Sequence, residues 1–281
     1  MKHRFSLACL AILSFLLLGC SCGALQKSNN DAGADALLPP TATGEPDNRP
    51  LMGYIEERTV LVIRDCSPRE GVLIVGSDDP DEDFDASGSA TIVHSGPEGS
   101  FIFTASHVVS IDSTYSRGFS CKISIKQGDD LTIVSTIAKS DDRDMAMLYT
   151  KKNLHLNTAF ELNTYTGQQI ISAGFPHQFA DSSKKYFSIS AGTLATRYVI
   201  VGGDSDENGY YHRVTSPIYF GNSGGGVWSK EGKLIGVVVV LYGVTSPNDA
   251  TIPYDGYYYI KPIEEIFPIA KEAGQGQAWM P

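Results

Sequence analysis

From about Tyr54 the chain breaks into about a dozen short runs rich in Val, Ile, Thr, Tyr and Phe, punctuated by Gly, Pro, Asn and Asp. RTVLVIRD, GVLIVG, SATIVHS, SFIFTAS, CKISIKQ, LTIVSTIA and MAMLYTK form the first group; QQIISAG, KYFSISAGTL, YYHRVTS, GGVWSK and KLIGVVVVLYG form the second. Runs this short cannot be helices of ordinary length, and their close spacing with turn residues between them predicts a sandwich or barrel. Only IKPIEEIFPIAKEA, near the end, has a helical apolar period, and Pro268 interrupts it, so a short or broken helix is expected there. The fold class is therefore all-β with a small C-terminal helix.

The N-terminus reads differently. MKHRFSLACLAILSFLLLGC carries Lys2 and Arg4, then an apolar run from Phe5 to Leu18, then Gly19 and Cys20. That is the layout of a secretory signal, and the run is short for a transmembrane helix. LLGC also resembles the bacterial lipobox, in which the cysteine is acylated and becomes the first mature residue. Residues 1–19 are thus expected to be a lipoprotein-type signal peptide and Cys20 a membrane tether; the alternative is ordinary cleavage nearby and release. Residues 20–50, rich in Ala, Pro, Asn, Asp and Gly, read as a flexible tether, and 51–281 as the folded domain. Of five cysteines, Cys9 leaves with the signal and Cys22 lies in the tether. Cys66 and Cys121 fall in the folded region, where export to an oxidising compartment allows a disulfide between them or two separate thiols.

A formal charge of −10, with no basic run, excludes nucleic-acid binding. Three places interrupt the strand-like text with chemistry. FIFTASHVVS runs an apolar strand into His107. DDRDMAMLYT places Asp144 where a polar turn gives way to an apolar run, with Asp141 and Asp142 as competing acids. YFGNSGGGVW sets Ser223 among residues that contribute almost no side chain. Each is weak alone: a core histidine, a strand-start aspartate and a tight turn would explain them. In the order His, Asp, Ser they match the arrangement used by chymotrypsin-like proteases, whereas subtilisins and α/β-hydrolases use other orders.

At these residues the chain resembles the trypsin-like serine proteases, and among them the bacterial high-temperature-requirement envelope type. TASHVV, DMAML and GNSGG carry the resemblance, with further similarity in SAGFP and ISAGTLATR, over roughly residues 53–272. The resemblance implies two six-stranded antiparallel barrels, about 53–155 and about 160–262, followed by a helix at about 262–273. It implies a serine endopeptidase needing no cofactor or metal, with polypeptide substrates. His107 would be general base, Asp144 its orienting partner and Ser223 the nucleophile, with the amides of Gly221 and Ser223 as oxyanion hole. The alternatives are an inactive protease fold kept for binding, and an esterase with the same triad.

Departures matter too. Asn222 stands where animal trypsins have an aspartate that pairs with an activated N-terminus, so no such activation is expected. The chain reaches Pro281 soon after the expected helix, so a PDZ domain is not expected either. Pro217, at the position expected to floor the specificity pocket, and Val239 and Val240 beside it offer no charge, which points to a small or medium apolar residue before the cleaved bond. The acidic stretch 76–88 alternates Asp81, Asp83 and Asp85 in the manner of a calcium loop. However, Ala86 and Ile92 occupy the positions that need Gly and Glu, so it reads as a solvated loop. Asn208-Gly209 reads as a hairpin tip. His94, His155, His177 and His212 lack metal-ligand spacing. Location is expected in the cell envelope, anchored by lipid; natural substrate and oligomeric state are not legible.

Overall fold

A computed structural model describes residues 51–69, 86–110, 118–177, 185–199, 210–240, 243–245, 251–253 and 258–272. The signal, the tether with Cys20 and Cys22, the run 71–76, Asp81, Asp83, Asp85 and Asn208-Gly209 lie outside these residues.

The expected architecture is present. The first closed barrel comprises β1 (Thr59–Pro68), β2 (Ala86–Gly96), β3 (Gly99–Thr104), β4 (Phe119–Gln127), β5 (Asp130–Ser140) and β6 (Met145–Thr150), in the order β1-β2-β3-β6-β5-β4. The second comprises β7 (Gln169–Gly174), β8 (Ser188–Val199), β9 (Tyr211–Val214), β10 (Gly226–Ser229), β11 (Leu234–Val240) and β14 (Tyr258–Pro262), in the order β10-β11-β14-β9-β8-β7. β12 (Gly243–Thr245) and β13 (Thr251–Pro253) pair with each other as a separate ribbon. All these pairs are antiparallel, so closure leaves neither barrel an unpaired sheet edge.

Cores follow from alternation. Ile170, Leu194, Val214, Val227, Ile235, Val238 and Ile260 fill the second barrel. Leu234, Val237 and Val239, from the same strand as Ile235 and Val238, join the other cluster, which contains the first-barrel core. This is why LIGVVVV shows no polar alternation: both faces of β11 are buried. At the β1–β4 pairing Cys66 lies directly across from Cys121, and the two are joined as a disulfide with Cα atoms 4.0 Å apart.

Residues 51–58, placed at the start of the β-rich region by the sequence, form a helix, α1 (Leu51–Arg58). Tyr54 and Ile55 are buried, Tyr54 meets Trp228 edge-on at 6.1 Å, and the Arg58 guanidinium stacks 3.4 Å over the Tyr54 ring. Two turns of helix give too little period to read in a sequence, and here tertiary packing decides. At the other end the apolar period breaks as expected, into a 3₁₀ turn (Ile263–Glu265) and a short helix at Phe267–Glu272.

One buried group makes stability depend on pH. His212 is fully buried on β9; its Nε2 lies 3.3 Å from Thr164 Oγ1, and its Nδ1 accepts from the Tyr198 amide. Burial pushes its pKa down from 6.5 to about 4. Between those values an unfolded chain takes up a proton that the native ring refuses, so stability is full above the unfolded value and falls with acid. The expected loss is about 2 kcal/mol between about pH 7 and about pH 4.5. Urea midpoints at the two pH values should show this difference shrinking in His212→Asn; an unchanged slope would remove His212 as its source.

Candidate active site

Thr104 ends β3, anchored by its hydroxyl donating to the Ser89 carbonyl at 2.7 Å. The chain then passes through extended Ala105 into α2, the single helical turn Ser106–Val109, which carries His107. His107 Nδ1 lies 2.7 Å from Asp144 Oδ2 and 3.0 Å from Oδ1, and its backbone N–H donates to Oδ1 at 2.9 Å. A carboxylate only accepts, so Nδ1 carries the proton and Nε2 is left as an acceptor. The His107 side chain is about half exposed, at 51%.

Asp144 closes the turn that precedes β6, with a left-handed φ of 52° that aspartate tolerates better than most residues. Its two neighbours hold that turn from opposite sides. Asp141 accepts from Ser106 and Ser110 and pairs with Lys139 at 2.9 Å. The Ser106 hydroxyl is the main reason its carboxyl titrates below the usual range, with Lys139 adding to it. Arg143 pairs with Glu265 at 2.7 Å, tying the turn to the segment after the second barrel. Of the three neighbouring acids, Asp144 is the one joined to His107.

The loop from Tyr219 to Gly225 is folded by its own backbone. Asn222 N–H donates to Tyr219 O, Gly225 N–H to Asn222 O and Gly224 N–H to Val238 O. It is also stitched to neighbouring strands: Ser89 N–H donates to Ser223 O and Ser89 Oγ to Gly221 O, both at 2.7 Å, while Ser89 Oγ accepts from Phe175 N–H at 2.8 Å. Gly221 and Gly224 have φ of 92° and 87°, where side-chain-bearing residues are strained. Among the described residues, the amides of Gly221 and Ser223 donate to no acceptor. Ser223 is partly exposed and its hydroxyl makes no hydrogen bond among the described residues.

The two halves meet across Gly88. A methyl placed there would lie 2.7 Å from Val108, the residue after His107, and 3.0 Å from Ser223 O. His107 is thus joined directly to Asp144, and the Ser223 loop is packed against the segment bearing His107, with no hydrogen bond between His107 and Ser223 in this conformation. Asn222 is buried, and its Oδ1 has no hydrogen-bond partner among the described residues. Pro217 is exposed, and its carbonyl accepts from Ser190 Oγ at 2.6 Å; Val239 is buried in the core, and the backbone of Val240 pairs with Tyr259. Ser89 and Ser106 carry no local signal, since small polar residues are ordinary in strand-end text, and Asp141, a competing acid in the sequence, instead holds Ser106 and Ser110. Among the described residues no group of three or more His, Cys, Asp or Glu is placed to hold a metal ion.

Two six-stranded barrels bringing a His–Asp pair to a glycine-rich serine loop define the trypsin-like class of peptidase folds. The sequence profile described as "Trypsin-like peptidase domain" matches residues 88–237, over half of the chain, and the chain belongs to that family. Among solved structures it is similar to the HtrA-type protease AlgW with tripeptide, at 18% identity and a TM-score of 0.56 over 80% of this chain and 64% of that one. A variant of the same protease with decapeptide gives 18% identity and a TM-score of 0.57 over 81% and 68%. At these identities the likeness is one of fold. No curated protein sequence matches the chain significantly.

Proposed function

We propose that the chain is a serine endopeptidase of the cell envelope. The observation that carries this reading is the His107–Asp144 contact beside a serine loop in which Gly221 and Gly224 take glycine-permitted φ and the amides of Gly221 and Ser223 have no acceptor among the described residues. Asp144 holds the imidazole with Nδ1 protonated, so Nε2 can take the proton of Ser223 as Oγ attacks a peptide carbonyl. The tetrahedral oxyanion would be met by the amides of Gly221 and Ser223, in a loop held by hydrogen bonds at Ser89, His177 and Val238. The protonated imidazole then gives its proton to the leaving amine, and water repeats the cycle on the acyl-enzyme. Catalytic contacts of this kind are often long without substrate and tighten when it binds.

Peptides bound to the fold's solved relatives support a polypeptide substrate, and the lack of a charged side chain at Pro217, Val239 and Val240 supports a small or medium apolar residue before the cleaved bond. The leader and Cys20 support export and lipid anchoring. No helix among the described residues is long and apolar enough to cross a membrane. The absence of a Ser223 hydrogen bond is the one observation that would suit a binding module instead. A fluorophosphonate probe separates the two: covalent labelling mapped by mass spectrometry to Ser223 is expected, and folded protein that takes up no probe would overturn the peptidase reading.

A further inference from the structure

A cavity of about 1020 Å³ opens between the two barrels, walled by β1 and the end of β4 on one side and by Phe175, His177, Lys185 and Phe187 on the other. One of its lining residues, His177, contacts the serine loop. His177 N–H donates to Phe220 O at 2.7 Å, and a methyl on Gly221 would lie 2.5 Å from the His177 ring, so His177 touches one of the two free-amide residues. Ser87 and His177 are hydrogen-bonded at 3.0 Å, bridging the barrels at this point. Phe175 and Phe187 meet edge-on at 5.8 Å and provide apolar surface.

The charges in the cavity are unevenly satisfied. Lys185 sits across a β-bridge from His177, and Lys126 lies opposite Leu61 in the β1–β4 register. Neither lysine's ammonium group has an ion pair or hydrogen bond among the described residues. Burial lowers the pKa of Lys185, and burial together with the Lys185 charge lowers that of His177. Glu56 and Glu57 also line the space, but they come from α1, which packs on β1 and β2, whereas Lys185 is one bridge away from the residue that touches Gly221.

We propose that this cleft receives the part of the peptide C-terminal to the cleaved bond, with an apolar side chain on Phe175 and Phe187 and a carboxylate on Lys185 and Lys126. The assignment rests on Ser223 being the nucleophile. The carboxylate comes from an acidic side chain or from the free end of the leaving peptide, and substrate design tells these apart. Quenched peptides sharing one acyl side would carry Glu or Gln on the leaving side, each as free acid and as amide. The expected result is a kcat/KM about fivefold higher for Glu than Gln in the amide pair, declining with added salt. The same gain confined to free acids assigns the carboxylate to the chain end. In Lys185→Glu the Glu-to-Gln ratio should fall below one, and a Lys-bearing peptide should become the preferred substrate, which also shows that the variant is folded. Equal rates for all four peptides, or a ratio moved by neither Lys185→Glu nor Lys126→Glu, overturn the assignment. Fluorophosphonate labelling run in parallel keeps the two readings apart: labelling without discrimination sinks only the cleft, while failure to label sinks both.

Discussion

Asp144→Asn is expected to lower turnover by about 10⁴-fold while leaving KM little changed. The reason lies in two donors that share one carboxylate. The backbone N–H of His107 reaches Asp144 Oδ1 at 2.9 Å, and the ring Nδ1 contacts both oxygens at 3.0 and 2.7 Å. The backbone donor cannot turn or change its role. An asparagine would therefore place its single oxygen on that N–H and its NH₂ against Nδ1. Nδ1 must then accept, the proton moves to Nε2, and the ring can no longer receive a proton from Ser223. Size, packing and the anchors at Asp141 and Arg143 are untouched, so the variant should fold and bind as the parent does. Nitrogen NMR of the imidazole would report the tautomer directly. Turnover within tenfold of the parent, or an unchanged tautomer, would count against Asp144 as the orienting group.

The parts of the site legible in the sequence are those whose signal is local. His107, Asp144 and Ser223 each stand near the boundary of an apolar run, where a polar residue interrupts strand-like text. The glycines around Ser223 are equally visible, because positive φ at Gly221 and Gly224 leaves a compositional mark. What supports these residues is not local. Ser89 stitches Gly221 and Phe175 together across separations of 132 and 86 residues, and nothing in SGSAT distinguishes that serine from an ordinary one. Asp141 lost its apparent competition for His107 through contacts with Ser106 and Lys139 that no spacing rule anticipates. Eleven of the barrels' twelve strands were readable as runs for the same local reason, while β14 was not among those runs and GVLIVG lies outside the described residues. Helix α1 was not, because eight residues held by Trp228 and by Arg58 stacking take their conformation from packing rather than period.

Gly224→Ala should be the most damaging small substitution in the loop, and a second glycine shows why. Gly224 has φ of 87°, and a methyl there would sit 2.0 Å from Ser89 O, 2.2 Å from Thr104 Oγ1 and 3.0 Å from Ala105 N. Two of these are backbone atoms, one in β2 and the other beside α2, and the Thr104 hydroxyl is held by its bond to Ser89 O. None can yield as a flexible side chain would. Gly167 has almost the same φ, 89°, with nothing within 4 Å of the added carbon. Gly167→Ala therefore carries only the conformational penalty, about 1–2 kcal/mol, while Gly224→Ala adds the overlap and should exceed about 4 kcal/mol. The same atoms seat the serine loop against the segment carrying His107, so whatever fraction of Gly224→Ala folds should have lost alignment as well as stability. Urea midpoints compare the pair, and fluorophosphonate labelling rates report alignment in the folded fraction. If both variants lose the same stability, φ alone sets the cost and the loop is not wedged against Ser89 and Thr104. If they differ as expected, the glycine after Ser223 is required by the close approach of the two barrels.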